Sequence, residues 1–441
     1  MTHLYKIFTF SLLFVALSIA AQTNSVPTPA KTQKQTTILK GGMAHIGNGE
    51  VIENSTIVFE DGKITTVTDA AMLKIDPTGK AIIDITGKHV YPGFVAASTS
   101  MGLAEISAVR ATRDDYEIGS LNPNIRSIIS FNTDSRVIPT IRSNGILLAQ
   151  IRPKGGRISG TSSVVQLDAW NWEDAAYKMD DGIHLSWPRM YSFRGWWAEP
   201  SGIEKNEKYS DQVTEVKDLF NEAKAYCQSG SHSEKNLKLS AMCSLFDGSQ
   251  QLFVHVNMIK EIIEAVNFSK KYGVKMVIVG GDDAWMATDI LKNNNIPVII
   301  KRTQSLPSRA DEDIDLPFKL PKLLQDAGVL YCITIGDDSD AFWDQRNLPF
   351  HAGQAVPNGL TKEQAITAIT SSPAKILNIA DRTGTLETGK DANIIVSTGD
   401  VLDMRSSNIE HAFIQGRAID LDNKQKALYR KFMEKYDLEK E

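Results

Sequence analysis

Two side chains stand where the surrounding sequence could present them to a substrate. His255 interrupts the apolar run Phe253-Val254-His255-Val256. Asp338 follows the apolar run Val329–Ile335, within Ile335-Gly336-Asp337-Asp338-Ser339. Imidazole and carboxylate can each take a proton from water, and both are ligands for divalent metals. Ser98 and Ser100 lie two residues apart, a spacing that turns both side chains to one face of a strand. Either hydroxyl, activated by His255 with Asp338 orienting the imidazole, would be a nucleophile, but no nucleophile-elbow motif accompanies it. Arg110 and Arg113 crowd with Asp114, Asp115 and Glu117. As loop residues they could fork onto a substrate carboxylate, and the same crowding also makes a surface ion-pair cluster. Gly155-Gly156-Arg157-Ile158-Ser159-Gly160 lacks the Lys-Ser/Thr of a phosphate loop and points to no nucleotide site.

The elements that must position these residues change style along the chain. Short β-type runs open it: Thr36–Lys40, Thr56–Glu60 and Lys63–Thr68 about an Asp61-Gly62 turn, then Ala81–Ile85. Ala392–Ser397, Ile409–Gln415 and Arg417–Asp420 repeat the style near the other end. Between them strands and helices alternate. Leu252–Val256 precedes a helical pattern at Ile259, Ile262, Ile263 and Val266. Val274–Val279, a helix over 283–293, Pro297–Ile300, a helix over 320–327 ended by Gly328, and Val329–Ile335 follow. Such alternation predicts an all-parallel sheet covered by helices. Thr361 caps a further helix, and residues 423–436 form a charged amphipathic one. The stretch 168–200 holds five Trp (Trp170, Trp172, Trp187, Trp196, Trp197) and reads as part of a long insertion, about 168–250.

Several of these segments resemble the amidohydrolase superfamily, most closely its imidazolonepropionase-like branch. Gly87-Lys88-His89-Val90-Tyr91-Pro92-Gly93-Phe94-Val95 is similar to the family's lead-in to the first barrel strand. Ser372-Pro373-Ala374-Lys375-Ile376-Leu377, Gly384-Thr385-Leu386-Glu387-Thr388-Gly389-Lys390-Asp391-Ala392 and Gly416-Arg417 resemble its C-terminal pattern. The resemblance implies an α/β fold: a (β/α)8 TIM-type barrel over 91–380 with a small composite β-sandwich from 36–90 and 381–422, then a helix in 423–441. It implies a divalent metal, zinc or similar, at the C-terminal ends of the strands, and hydrolysis of a C–N bond in an amide or cyclic amide. His255 falls at the fifth-strand ligand position and Asp338 at the eighth-strand ligand and base. The first-strand His-x-His positions hold Ser98 and Ser100, and the sixth-strand position holds Gly280 and Gly281. Hydroxyls are poor zinc ligands. Asp337, Glu105, Asp282, Asp283 and His351 are the available substitutes. Two expectations follow: an active hydrolase with an atypical site, or a pseudoenzyme that binds a ligand, with no metal, or supports an intact relative.

The N-terminus has the layout of a cleaved signal: Lys6, the apolar run Ile7–Leu17, then small residues, with cleavage expected near Ala20 or Ala21. A polar linker follows, 22–35. The expected location is secreted or periplasmic. An exported chain can oxidise thiols, and of its three cysteines Cys227 and Cys243 are the expected pair, with Cys332 a buried free thiol. A net charge of −5 points to neither nucleic acid nor an anionic membrane surface. The expected partner is a small molecule or peptide, with a homo-oligomer or an intact relative as protein partner.

Overall fold

The computed structural model describes residues 28–74, 76–194, 202–230, 234–336 and 340–438. The signal segment, 1–21, and the first part of the linker lie outside the described residues. The chain opens with β1 (Thr37–His45), β2 (Val51–Glu60), β3 (Lys63–Asp69), β4 (Ala81–Asp84) and β5 (His89–Pro92). Asp61 and Gly62 both have positive φ, 49° and 79°. That backbone matches strand twist in a two-residue hairpin, and glycine accepts it without penalty.

The next strands build the barrel: β6 (Phe94–Thr99), β7 (Ile146–Ile151), β8 (Ile158–Gln166) and β9 (Ala176–Ser186). A side hairpin, β10 (Tyr191–Arg194) and β11 (Gly202–Lys205), follows. Then come β12 (Gln251–Val256), β13 (Met276–Gly280), β14 (Val298–Ile300) and β15 (Tyr331–Ile333). One eight-stranded sheet runs β6-β7-β8-β9-β12-β13-β14-β15. It nearly closes: Thr334 Oγ1 donates to Ala97 O at 2.5 Å, and residues 368 and 369 bridge the gap through Ile333 N–Ala368 O and Val95 N–Ile369 O. This is a TIM-type barrel. It corrects the expectation of an all-parallel sheet, because β8 runs antiparallel to both β7 and β9. It also corrects the expected insertion, since β9 lies within 168–250 and is the fourth barrel strand.

The rest of that stretch covers the barrel. The helix Tyr209–Ser229 buries Val213, Val216, Phe220 and Ala223 on one face. Phe220 meets Phe268 edge-on at 4.7 Å between ring centres. Cys227 and Cys243 form the expected disulfide, tying this helix to the next turn. Closing a loop of 16 residues stabilises by about 3 kcal/mol on chain-entropy grounds. Cys227→Ser with Cys243→Ser should therefore lower the melting temperature by several degrees, read by thermal melting. A melt unchanged by both substitutions would show that the crosslink contributes nothing.

The chain closes with β16 (Ile394–Ser397), β17 (Ile409–Ile414) and β18 (Arg417–Ala418). These join β1–β5 in one sheet through the antiparallel β16–β5 ladder, so both chain ends share it. Leu39, Ile57, Phe59, Ile394 and Phe413 belong to its own apolar cluster. The described linker residues are docked. Gln33 bonds Phe59 O and Gly62 N, and Ala30 N donates to Asp168. The helix Lys424–Lys435 has Asn423 as its N-cap and buries no residue. No helix of the described residues is long and apolar enough to cross a membrane.

Candidate functional site at the barrel mouth

Alternation along the strands fills the barrel in two tiers. Val95, Leu148, Val164, Tyr177, Phe253, Val277, Ile299 and Cys332 form an apolar floor together with Ala374 and Leu377 from below. Burial in that floor raises the Cys332 thiol far above its ordinary pKa, so it is inert. Toward the C-terminal strand ends the interior becomes polar, with Gln150, Ser162, Asp181, His184 and Thr334 all buried.

His255 sits in this upper tier and lines a cavity of about 690 Å³ at the strand ends. Trp187, Val279, Asp282, Lys301 and Ile335 contribute to the same wall, from the ends of the fourth to eighth strands. That size suits a drug-sized molecule or short peptide. His255 is not alone. His184, on β9, pairs its Nδ1 with His255 Nε2 at 2.9 Å and stacks on Phe253 at 4.8 Å. Sequence reasoning missed His184 because Asp180, Asp181 and Gly182 precede it and no apolar alternation marks the strand. One of the two facing nitrogens must carry the proton, so each ring fixes the other's tautomer.

Asp181 is fully buried below this pair. Ser162 Oγ and Gln150 Nε2 each donate to it at 2.7 Å. Burial pushes its carboxyl up to about 6, against the pull of these bonds and of Lys178. The folded state then holds the proton more tightly than the unfolded chain. Stability is highest below about pH 4 as far as this group is concerned, falls between pH 4 and 6, and stays lower above. Asp181→Asn should therefore gain about 2–3 kcal/mol at neutral pH and little at pH 4, checked by denaturant melts at both. A loss at neutral pH would contradict the assignment.

The first strand ends in a bulge. Four residues of β6, from Ala96 to Thr99, span what three cover on β7, and Ser98 has φ 51°. The expected alternation of Ser98 and Ser100 breaks there. Ser98 N donates to Gln150 Oε1 at 3.0 Å, and Ser98 Oγ accepts from Arg152 Nε at 2.9 Å. Ser100 Oγ is buried with no hydrogen-bond partner among the described residues. After β13, Gly280 and Gly281 have φ 104° and 66°. At φ 104° Gly280 takes a backbone that L side chains rarely adopt, so a histidine there would be strained.

The substitutes scatter. Asp282 faces the cavity, accepts from Ser308 Oγ at 2.7 Å and lies 3.9 Å from Lys301 Nζ. Asp283 is fully buried, binds Arg309 at 2.9 Å and caps the helix Ile259–Tyr272 by accepting from Ile259 N. Its role is structural, and the expected helix over 283–293 is a 3-10 turn followed by Thr288–Asn293. Glu105 accepts from Arg136 N at 3.2 Å and does not line the cavity. His351 accepts from Gln304 N at 3.3 Å, and its burial lowers its pKa to about 4. Arg110 donates to Arg113 O, while Arg113 pairs with Asp115 at 3.4 Å and covers the Tyr116 ring. Neither arginine lines the cavity. Asp337 and Asp338 lie outside the described residues.

The donors among the described residues fit a zinc ion poorly. Among the described residues no three His, Cys, Asp or Glu side chains converge. Nitrogens bound to one tetrahedral zinc at about 2.0–2.1 Å stand roughly 3.3–3.4 Å apart, whereas the facing nitrogens of His184 and His255 are at hydrogen-bonding distance.

Residues 318–419 match the amidohydrolase family. A 119-residue stretch is 31% identical to the amidohydrolase tasK of Hapsidospora irregularis, covering 25% of this chain and 12% of that protein. The chain thus spans about an eighth of that relative's length. Among solved structures, an amidohydrolase from Thermotoga maritima MSB8 superposes with a TM-score of 0.76 at 22% identity, over 87% of this chain and 99% of that one. A prolidase complexed with N-methylphosphonate-L-proline gives 0.55 at 16% identity, over 87% and 99%. At these identities the superpositions establish the fold.

Proposed function

We propose that this chain, whose residues 318–419 match the amidohydrolase family, is a hydrolase that cleaves a C–N bond, amide or cyclic amide, of a small molecule or peptide in the cavity at the barrel mouth. The observation that carries this reading is His255 in the cavity wall at the C-terminal strand ends, oriented by His184. Barrels of this type place their chemistry there.

Cleavage needs a proton taken from attacking water and one returned to the leaving nitrogen. His255 and Asp338 are the proposed carriers. His184 is a positioning residue, holding His255 in one tautomer. Lys301 and Arg302 in the cavity wall are better placed than Arg110 and Arg113 to hold an anionic group of the substrate. The chain is proposed to act after export, with its signal removed near Ala20 or Ala21.

A second reading, ligand binding without turnover, alone or beside an intact relative, is favoured by the Arg152 guanidinium on Ser98. One experiment separates the two. The mature protein is incubated with N-acyl amino acids, dipeptides and cyclic amides, with products read by mass spectrometry and binding by thermal shift. Turnover supports the hydrolase. A shift without product supports the binder. Neither product nor shift across the panel overturns both.

A further inference from the structure

The residues at the end of the first two barrel strands hold something other than a metal-binding rim. The family resemblance places the first metal ligand at Ser98. There the side-chain oxygen is engaged by a guanidinium, Arg152 Nε at 2.9 Å. Arg152 follows directly on β7, is 4% exposed, and is anchored along its length. Its N donates to Thr99 O at 2.9 Å, and its Nη1 donates to Pro153 O at 3.0 Å. The surroundings are shaped to this arrangement. Ser98 adopts the left-handed φ of 51° that a non-glycine residue takes only under constraint, and Gln150 Oε1 holds its N–H. Gln150 in turn donates to Asp181, so the guanidinium, the bulged strand end and the buried carboxylate form one connected set.

We propose that Arg152 is the built-in cation of this centre: its guanidinium occupies the first-strand position of the family's metal, and the mature protein folds and stays folded with no transition metal there. A guanidinium is permanently charged and directional. A guanidinium needs no thiolate, imidazole or carboxylate ligands to stay charged, which suits the exchange of donors for Ser98 and Gly280. The inference stands whether or not the chain turns over an amide.

The test uses the mature chain produced in medium supplemented with zinc and manganese. Metal content is measured on the purified protein, and melting is followed with a chelator, with added zinc, and for Arg152→Met and Arg152→Lys. The expected result is metal far below one equivalent and a melting temperature indifferent to chelator and to zinc. Arg152→Met should melt several degrees lower, with Arg152→Lys recovering part of the loss. One equivalent of metal, removed by chelator with a fall in melting temperature, would overturn the proposal. So would Arg152→Met melting like the parent protein. Should Arg152→Met fail to fold, the metal content and chelator response of the parent protein decide alone. Amide turnover enters none of these readouts, so failure here is separate from failure of the hydrolase reading.

Discussion

His255→Ala is expected to lower kcat/KM for the cleaved amide by roughly a hundred- to ten-thousand-fold, the usual contribution of a positioned acid or base. His255 is the imidazole that both lines the cavity and is held by a second ring, with His184 Nδ1 at 2.9 Å. Removing it leaves the cavity shape nearly intact, because the apolar floor beneath is built from other residues. The KM should therefore move less than kcat. His184→Asn should give a smaller loss, since a merely positioning group acts through His255. A measured kcat/KM within a few-fold of the parent would place the proton transfer on another residue. Melting curves of the same variants show whether the fold survived.

Asp168→Ala should cost the most stability, about 3–5 kcal/mol. Asp168 is 2% exposed and joins three separate parts of the chain. Its Oδ1 accepts from Arg142 Nη1 at 2.8 Å, and its Oδ2 from Arg417 Nη1 at 3.0 Å and Ala30 N at 2.9 Å. Arg142 belongs to the barrel's outer layer, Arg417 to the sheet shared by both chain ends, and Ala30 to the docked linker. Removing the carboxylate strands two guanidiniums in poorly solvated surroundings. Asp168→Asn keeps one acceptor and should lose less. Equilibrium denaturation of both variants measures this, and a change within about 0.5 kcal/mol, the range of ordinary surface substitutions, would show that the triad carries no stability.

The strands that sequence reasoning located are those buried on both faces. Phe253-Val254, Met276–Val279 and Tyr331–Ile333 are continuous apolar runs because one face meets the barrel floor and the other the covering helices. Two barrel strands were hidden for the opposite reason. On β8, Ser159, Thr161, Ser162 and Ser163 are all buried, and on β9 Asp181 and His184 are. Their inward faces belong to the polar tier, so the residues that make the site erase the pattern that reveals a strand. That explains both the missed His184 and the mistaken insertion at 168–250. The resemblance to amidohydrolases located His255 correctly at the fifth strand and the Gly280-Gly281 turn at the sixth. It could not show Arg152, since an arginine after an unassigned strand carries no periodic signal, nor the bulge at Ser98, which depends on pairing with β7.

Hydrolysis at the barrel mouth is tested by the fate of the water oxygen. Turnover of the active amide in water enriched in heavy oxygen should place one labelled oxygen in the product carboxylate, seen by mass spectrometry, and His255→Ala should make that labelled product far more slowly. Product without label, or labelling at the parent rate in His255→Ala, would contradict hydrolysis at the barrel mouth.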